Sequence, residues 1–321
     1  PFAGNPFAGN PFAGNPFAGN PFAGNGWPAP EQQGTGVRRS TARPAAPPGV
    51  QPQPDGDGWP VVLVLDTGMP EPLQTPASLS SLSPSTPVDL PDSPDDPDDM
   101  LDPVAGHGTF IAGIIARLAP GSSVIVERVL SGYGDGDEVE VAQALRRHVG
   151  RVDLVNLSFG TYTPFCPKVV ARAIRAVQRG IGAPQKAGAD PRPAVVVASA
   201  GNDGTWMPSF PASLPDVVSV AALDERGPAG YSNYGPWVRA CAPGTNVVST
   251  FFAQWHPAQG DAFDGWASWS GTSFAAPHVV GALARAMTRE KIDDPRRAVD
   301  RVIDAPGLLR IPWHGTVVNV T

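Results

Sequence analysis

The chain has 321 residues, a formal net charge of −7, 41% hydrophobic residues and two cysteines. Its length suits about two domains, or one large α/β domain with appendages. No run of 18 or more apolar residues exists, so no membrane span is expected. No basic surplus exists for nucleic acid, and Cys166 and Cys241 are too few for a disulfide scaffold, which leaves two free, partly buried thiols as the expectation.

Residues 1–25 are five copies of Pro-Phe-Ala-Gly-Asn. A period of five fits neither a helix nor a strand, and each copy carries one Pro and one Gly. The tract is expected to be disordered, either a spacer or a strip whose even phenylalanines recruit a partner through avidity. Residues 26–58 continue as a Pro/Gly-rich linker. Within it the pair Arg38-Arg39 reads as solvated, with a processing site as the alternative. The chain starts at Pro1 without a charged and then apolar leader, which leaves export open.

The globular part begins near Trp59. Val61–Leu65 is a continuous apolar run, as in a strand buried on both faces of a parallel sheet. Residues 69–103 read as a long acidic, Pro-rich surface loop. Its seven aspartates, from Asp89 to Asp102, equal the whole net charge in number. They are expected to lie near the cleft and attract basic peptides. Prolines interrupt them, no EF-hand spacing is present, and no metal site is expected. Helical and strand patterns then alternate: helix 109–118, strand 123–130, helix 138–148, strand 152–157, helix 168–178, strands 194–198 and 217–222, and helix 274–287. That alternation predicts an α/β fold, doubly wound, with a mostly parallel central sheet and helices on both faces, as one domain over 59–321.

Four segments place polar or small residues where a strand ends or a helix starts, the position at which open α/β sheets bind ligands. Asp66-Thr67-Gly68 follows the first strand. Gly106-His107-Gly108-Thr109 opens a helix, and its glycines are expected to leave the imidazole uncrowded. Ala200-Gly201-Asn202-Asp203 follows strand 194–198. Ser270-Gly271-Thr272-Ser273 opens the helix of small residues, whose N-terminus offers N–H groups near the Ser273 hydroxyl. Taken singly, each is an ordinary turn or cap.

Taken together, their order and wording resemble the subtilisin-like serine proteases (subtilases, peptidase family S8) over about residues 59–321. The resemblance rests on Gly106-His-Gly-Thr109 and Gly271-Thr-Ser-Phe-Ala-Ala-Pro-His278. Asn156-Leu-Ser-Phe-Gly160, Phe210-Pro-Ala212, Tyr231-Ser-Asn-Tyr-Gly235, Ala242-Pro-Gly244 and a closing strand at Gly315–Asn319 support it. It implies a peptide-bond hydrolase with Ser273 as nucleophile, His107 as base and Asp66 as its orienting acid. Asn202 would complete the oxyanion hole with the Ser273 N–H. Substrate would enter as an added strand between Ser158-Phe159-Gly160 and Gly132-Tyr133-Gly134. Ala200 and Gly201 would line the main specificity pocket, with Ser209 and Asp203 at its base or rim.

The resemblance further implies polypeptide substrates, no cofactor, a monomer, secretion, and a prodomain upstream of Pro1 with the repeats as a tether cut during maturation. It also has departures. The calcium loop that many relatives carry after the His107 helix has no counterpart here. Phe274 stands where methionine is common, and Phe110 where a second histidine often follows. The alternatives are a peptide-maturation protease or transpeptidase, and a protease-fold scaffold that recruits a partner through the repeats.

Overall fold

The computed structural model describes residues 23–24, 37–42, 44, 60–71, 79, 82, 85, 87–92, 100–183, 192–255 and 262–320. The repeats before Ala23, most of the linker, and Asp95, Asp96, Asp98 and Asp99 of the acidic loop lie outside them. Two short strands precede the domain, β1 (Ala23–Gly24) and β2 (Arg38–Arg39).

The first long strand is β3 (Val61–Asp66), followed by α1 (His107–Leu118), β4 (Ser123–Arg128), α2 (Glu138–Arg147), β5 (Leu154–Leu157), β6 (Phe159–Gly160) and α3 (Lys168–Arg179). Next come β7 (Val195–Ser199), β8 (Val218–Asp224), β9 (Gly227–Pro228), β10 (Ala240–Pro243), β11 (Val247–Thr250) and β12 (Trp266–Trp269). The chain ends with α4 (Thr272–Glu290), α5 (Pro295–Val302), β13 (Arg310–Ile311) and β14 (Gly315–Val317). Among these residues the main sheet runs β13-β14-β10-β8-β7-β5-β3-β4, with β9 on β8. Every pairing from β14 to β4 is parallel; β13 and β9 are antiparallel edges.

The central strands carry apolar side chains on both faces, as parallel strands between helical layers must. On one face Val62, Val64, Val197 and Val220 pack with Phe110, Ile114, Val279 and Leu283 of α1 and α4. On the other, Leu63, Val155 and Val196 pack with Leu145 of α2 and Ile174 of α3. This is the doubly wound α/β architecture expected. No helix among the described residues is long and apolar enough to cross a membrane.

Element ends follow local hydrogen bonding. The strand expected to reach Leu130 stops at Arg128, because the N–H groups of Val129 and Leu130 both donate to the Asp66 carbonyl, at 2.8 and 3.2 Å. β5 starts at Leu154, and just before it the Asp153 carboxylate accepts the Val61 N–H at 2.8 Å while the Asp153 N–H donates to the Val61 carbonyl at 2.9 Å. α2 begins at an Asp137 cap that accepts from the Val139 and Glu140 N–H groups. Arg38 and Arg39 pair as an edge strand with Ser268 and Ala267. Their side chains are exposed as expected, while their backbone belongs to a sheet. Both cysteines are free; Cys166 is exposed rather than partly buried, and burial pushes the Cys241 thiol up to about 12.

Candidate active site

The order of the sheet reverses beside β3. The chain leaves β3 for β4 on one side and then returns to β5 on the other. The carboxyl ends of β3 and β5 therefore flank a switch point, where open sheets form their ligand crevice. Asp66 ends β3, and Ser158 follows β5.

α1 starts with His107 itself, two residues earlier than expected. Gly106 caps it in the left-handed region (φ 78) with no side-chain cap. A Cβ at Gly108 would sit 2.5 Å from the Gly68 carbonyl oxygen, so glycine there lets the helix end press on the turn after β3. That approach brings His107 Nδ1 to 2.7 Å from Asp66 Oδ1, which also accepts the Thr67 N–H at 2.8 Å. With Nδ1–H donating to the carboxylate, Nε2 is the nitrogen left with a lone pair. It is buried and has no hydrogen-bond partner. The imidazole is crowded rather than open: Trp269 meets it edge-on at 5.4 Å and Phe274 tilts over it at 5.3 Å. The flanking glycines thus serve close backbone approach. Phe110 and Phe274, the two departures noted in the sequence, pack on each other at 4.6 Å.

Two residues the sequence reading passes over hold this pair together. The Gly108 N–H donates to Thr67 Oγ1 at 3.0 Å, and Thr67 Oγ1–H donates to Asp89 Oδ2 at 2.8 Å. The same carboxylate oxygen accepts the Gly106 N–H at 2.9 Å. Asp89 therefore caps α1 from a distant loop and ties the helix to the turn that carries Asp66. Burial pushes its carboxyl up to about 7, against hydrogen bonds from Thr67 and Gly106 and the Arg128 charge. Asp89 and Asp102 are both buried, so these two of the seven acidic residues do not face solvent as expected. Asp89 is the first of the run and lies between Val88 and Leu90, an apolar setting that was the available signal.

The third part comes from α4. Gly271 caps it without a side-chain hydrogen bond, so Ser273 is a helical residue and not the cap. The N–H groups of this first turn have no partner within the helix. Pro277 lacks the N–H that would bond the Ser273 carbonyl four residues back. Ser158 Oγ–H donates to that carbonyl instead, at 2.8 Å, and the Ser273 hydroxyl donates to the Ser158 carbonyl at 3.1 Å. Ser273, His107 and Asp66 are wholly buried.

Asn202 lies at the turn after β7. Its Oδ1 accepts from the Thr272 N–H at 2.8 Å and from the Thr272 hydroxyl at 2.9 Å. That fixes the carboxamide with its oxygen toward α4, one residue from Ser273. The Gly201 N–H donates to Thr272 Oγ1 at 3.1 Å, and the Ala200 carbonyl accepts from Ser209 Oγ at 2.7 Å and Asn233 Nδ2 at 2.9 Å. A Cβ at Gly201 would meet Asn233 Nδ2 and lie 3.1 Å from the Tyr162 hydroxyl. Tyr162 bonds Asp203 Oδ2 at 2.6 Å, and both burial and that carboxylate push its phenol up. Asp203 is thus engaged by a neighbour rather than simply solvated.

Phe159 and Gly160 form the edge strand β6, while Gly132-Tyr133-Gly134 sit in a tight turn closed by the Ser131 N–H on the Asp135 carbonyl. The Gly132 carbonyl is already taken by the Val104 N–H at 2.8 Å. His278 is buried inside α4 with Nδ1 bonded to the Phe274 carbonyl, and burial lowers it to about 4, which fits a structural role. No cluster of three His, Cys, Asp or Glu side chains among the described residues could hold a metal ion.

Known proteins resemble the chain in sequence and in fold. Minor extracellular protease Epr of Bacillus subtilis (strain 168) is 31% identical over 198 residues, 58% of this chain and 27% of that protein. Subtilisin Savinase of Lederbergia lenta is 33% identical over 191 residues, 56% of this chain and 62% of that protein. The chain thus spans less than two thirds of the length of either. The solved structure of the prenylagaramide maturation protease PagA covers 83% of this chain and 92% of its own at a TM-score of 0.61 and 23% identity, a likeness of fold. The sequence model of the Subtilase family matches residues 58–305, from the start of β3 to beyond α5 and across all four segments singled out above. The chain belongs to the subtilase family.

Proposed function

We propose that the chain is a serine endopeptidase that uses Asp66, His107 and Ser273. The observation that carries this reading is the 2.7 Å bond from His107 Nδ1 to Asp66, which leaves Nε2 unpartnered in the crevice that Ser273 enters from α4. A serine hydroxyl is a weak nucleophile until a base takes its proton. Rotation of Ser273 about its Cα–Cβ bond moves the hydroxyl from the Ser158 carbonyl to Nε2. His107 accepts the proton as Oγ attacks the scissile carbonyl, then gives it to the leaving amine. Asp66 holds the tautomer and offsets the imidazolium charge. The Asn202 amide and the Ser273 N–H at the head of α4 face the developing oxyanion. Water then hydrolyses the acyl-enzyme and restores Ser273.

The polypeptide adds as a strand on β6, after Ser158, with the 132–134 turn opposite and Ala200, Gly201 and Asp203 around the side chain that precedes the cut. An extracellular place of work goes with this reading, as the name of the minor extracellular protease Epr says of that protein. Labelling with a fluorophosphonate, together with casein hydrolysis, tests the assignment. The native chain should label and cleave, and Ser273→Ala should do neither. Equal labelling of both would refute it.

A further inference from the structure

One side chain joins the two walls of the pocket given above to the residue before the cut. The first wall runs on from β6, where Thr161 and Phe210 exchange N–H to carbonyl bonds at 2.8 and 2.9 Å. That bridge brings Tyr162, the next residue, to the second wall, the turn after β7. The Tyr162 hydroxyl donates to Asp203 Oδ2 at 2.6 Å and accepts from Asn233 Nδ2. Asn233 is itself buried and grips the same turn. Its Oδ1 accepts the Asp203 and Thr205 N–H groups at 3.1 and 3.2 Å, and its Nδ2 donates to the Ala200 carbonyl at 2.9 Å. The phenol cannot swing aside without breaking both of its bonds.

Its position has two consequences for a substrate. The hydroxyl lies 3.1 Å from where a Cβ on Gly201 would be, so the space that this glycine leaves open is taken up by tyrosine. A long side chain entering beside Ala200 and Gly201 meets the ring. The second consequence concerns charge. A guanidinium grips a carboxylate through two parallel hydrogen bonds, one to each oxygen. One oxygen of Asp203 is already held by the phenol. Burial and the Asp203 charge push the phenol up, so it stays a donor at neutral pH and above.

We propose that Tyr162 is the specificity-determining residue of the protease: its ring limits the depth of the pocket and its hydroxyl occupies Asp203, so the enzyme cuts after small, uncharged side chains such as alanine and serine. This deepens the endopeptidase reading above and rests on it. Size and charge are set by different parts of the same side chain, and two substitutions separate them. Tyr162→Phe keeps the ring and releases the Asp203 oxygen, while Asn233 retains its bond to the Ala200 carbonyl. Tyr162→Ala removes both the ring and the hydroxyl.

The test measures kcat/KM of the native chain and both variants on four peptide p-nitroanilides that differ only in the residue before the cut: alanine, leucine, phenylalanine or arginine. Fluorophosphonate labelling is followed alongside. The native enzyme should favour alanine over phenylalanine and arginine by roughly tenfold or more. Tyr162→Phe should raise arginine by a similar factor and leave phenylalanine low. Tyr162→Ala should raise leucine, phenylalanine and arginine together. A native enzyme that labels yet cuts after phenylalanine as fast as after alanine overturns the size limit, and this reading stands whether or not Tyr162→Ala folds. Arginine that does not rise in Tyr162→Phe overturns the role of the hydroxyl. Variants that change all four substrates by one factor reduce Tyr162 to a structural tie and overturn the inference. In each of these cases the triad reading stands. A native chain that neither labels nor cleaves any of the four overturns the triad reading, and this inference with it.

Discussion

Ser158 and Ser273 exchange hydrogen bonds in both directions, hydroxyl to carbonyl, at 2.8 and 3.1 Å. The exchange exists because Pro277 leaves the Ser273 carbonyl without its helical donor. It ties the end of β5 to the first turn of α4. Asn156 Nδ2 donates to the Ser158 hydroxyl at 2.8 Å and fixes its direction. Ser158→Ala removes the donor and strands a buried carbonyl, which costs about 1–3 kcal/mol. At about 2–4 °C per kcal/mol for a domain of this size, calorimetry should read a melting point several degrees lower. Turnover should fall with KM little changed, because the hydroxyl serves the backbone of Ser273, the proposed nucleophile, while the strand proposed for substrate is β6.

Asp89 gives stability a pH dependence of its own. Its carboxyl sits near 3.8 when unfolded and is pushed up to about 7 in the fold, chiefly by burial. The folded chain therefore holds this proton more tightly. Its contribution is fully present below about pH 4 and is lost as pH rises through about 7. Asp89→Asn keeps an oxygen for the Thr67 hydroxyl and the Gly106 N–H but cannot ionise. Thermal melts across pH 4–9 should show the variant gaining on the native chain as pH rises. A constant difference would remove this account.

Much of this was legible in the sequence, and the reasons are physical. β3 could be read because a strand covered on both faces is apolar throughout, and α4 because its run of small residues has no competing pattern. The Asp–His–Asn–Ser order was legible as wording, since each member sits at a strand end or helix start. The aspartate beyond β3 was misjudged. A run of acidic residues among prolines reads as solvent-facing, and only the fold shows that α1 lacks a cap of its own and borrows Asp89. The role of Pro277 was equally hidden, because a freed carbonyl has no meaning until its partner, Ser158, is known. α5 was missed although Asp294-Pro295 is a sound start signal: eight residues are too few for periodicity to show. β11 and β12 form their own small sheet with β2, whose sequence gives no hint of pairing.

Gly108→Ala should separate His107 from Asp66. The added Cβ would lie 2.5 Å from the Gly68 carbonyl oxygen and 3.3 Å from the Asp66 Cβ, and backbone is the atom that must yield. The helix end would back away from the turn, and the imidazole would leave the carboxylate that sets its tautomer. Displacements near 1 Å cost on the order of 10²-fold in rate. The loss should fall on kcat, while KM for a peptide substrate, which rests on pairing with β6 more than on the base, should change less.

Asn202 offers the sharpest separation of scaffold from chemistry. Its Oδ1 is held by both donors of Thr272, so the residue anchors the head of α4 in addition to the oxyanion role proposed for its amide. Asn202→Ala removes both roles and should lower kcat by about 10²–10³-fold, a size measured for such a donor in subtilisin, a relative, and so not an independent expectation. Asn202→Asp keeps the oxygen that Thr272 grips and replaces the amide with a second oxygen, which has no proton to give and repels the charge forming on the substrate. If anchoring were the whole role, Asp would restore turnover. The oxyanion role predicts that Asp does no better than Ala in kcat while both variants keep KM within a few-fold. Steady-state kinetics on one peptide substrate decides between them.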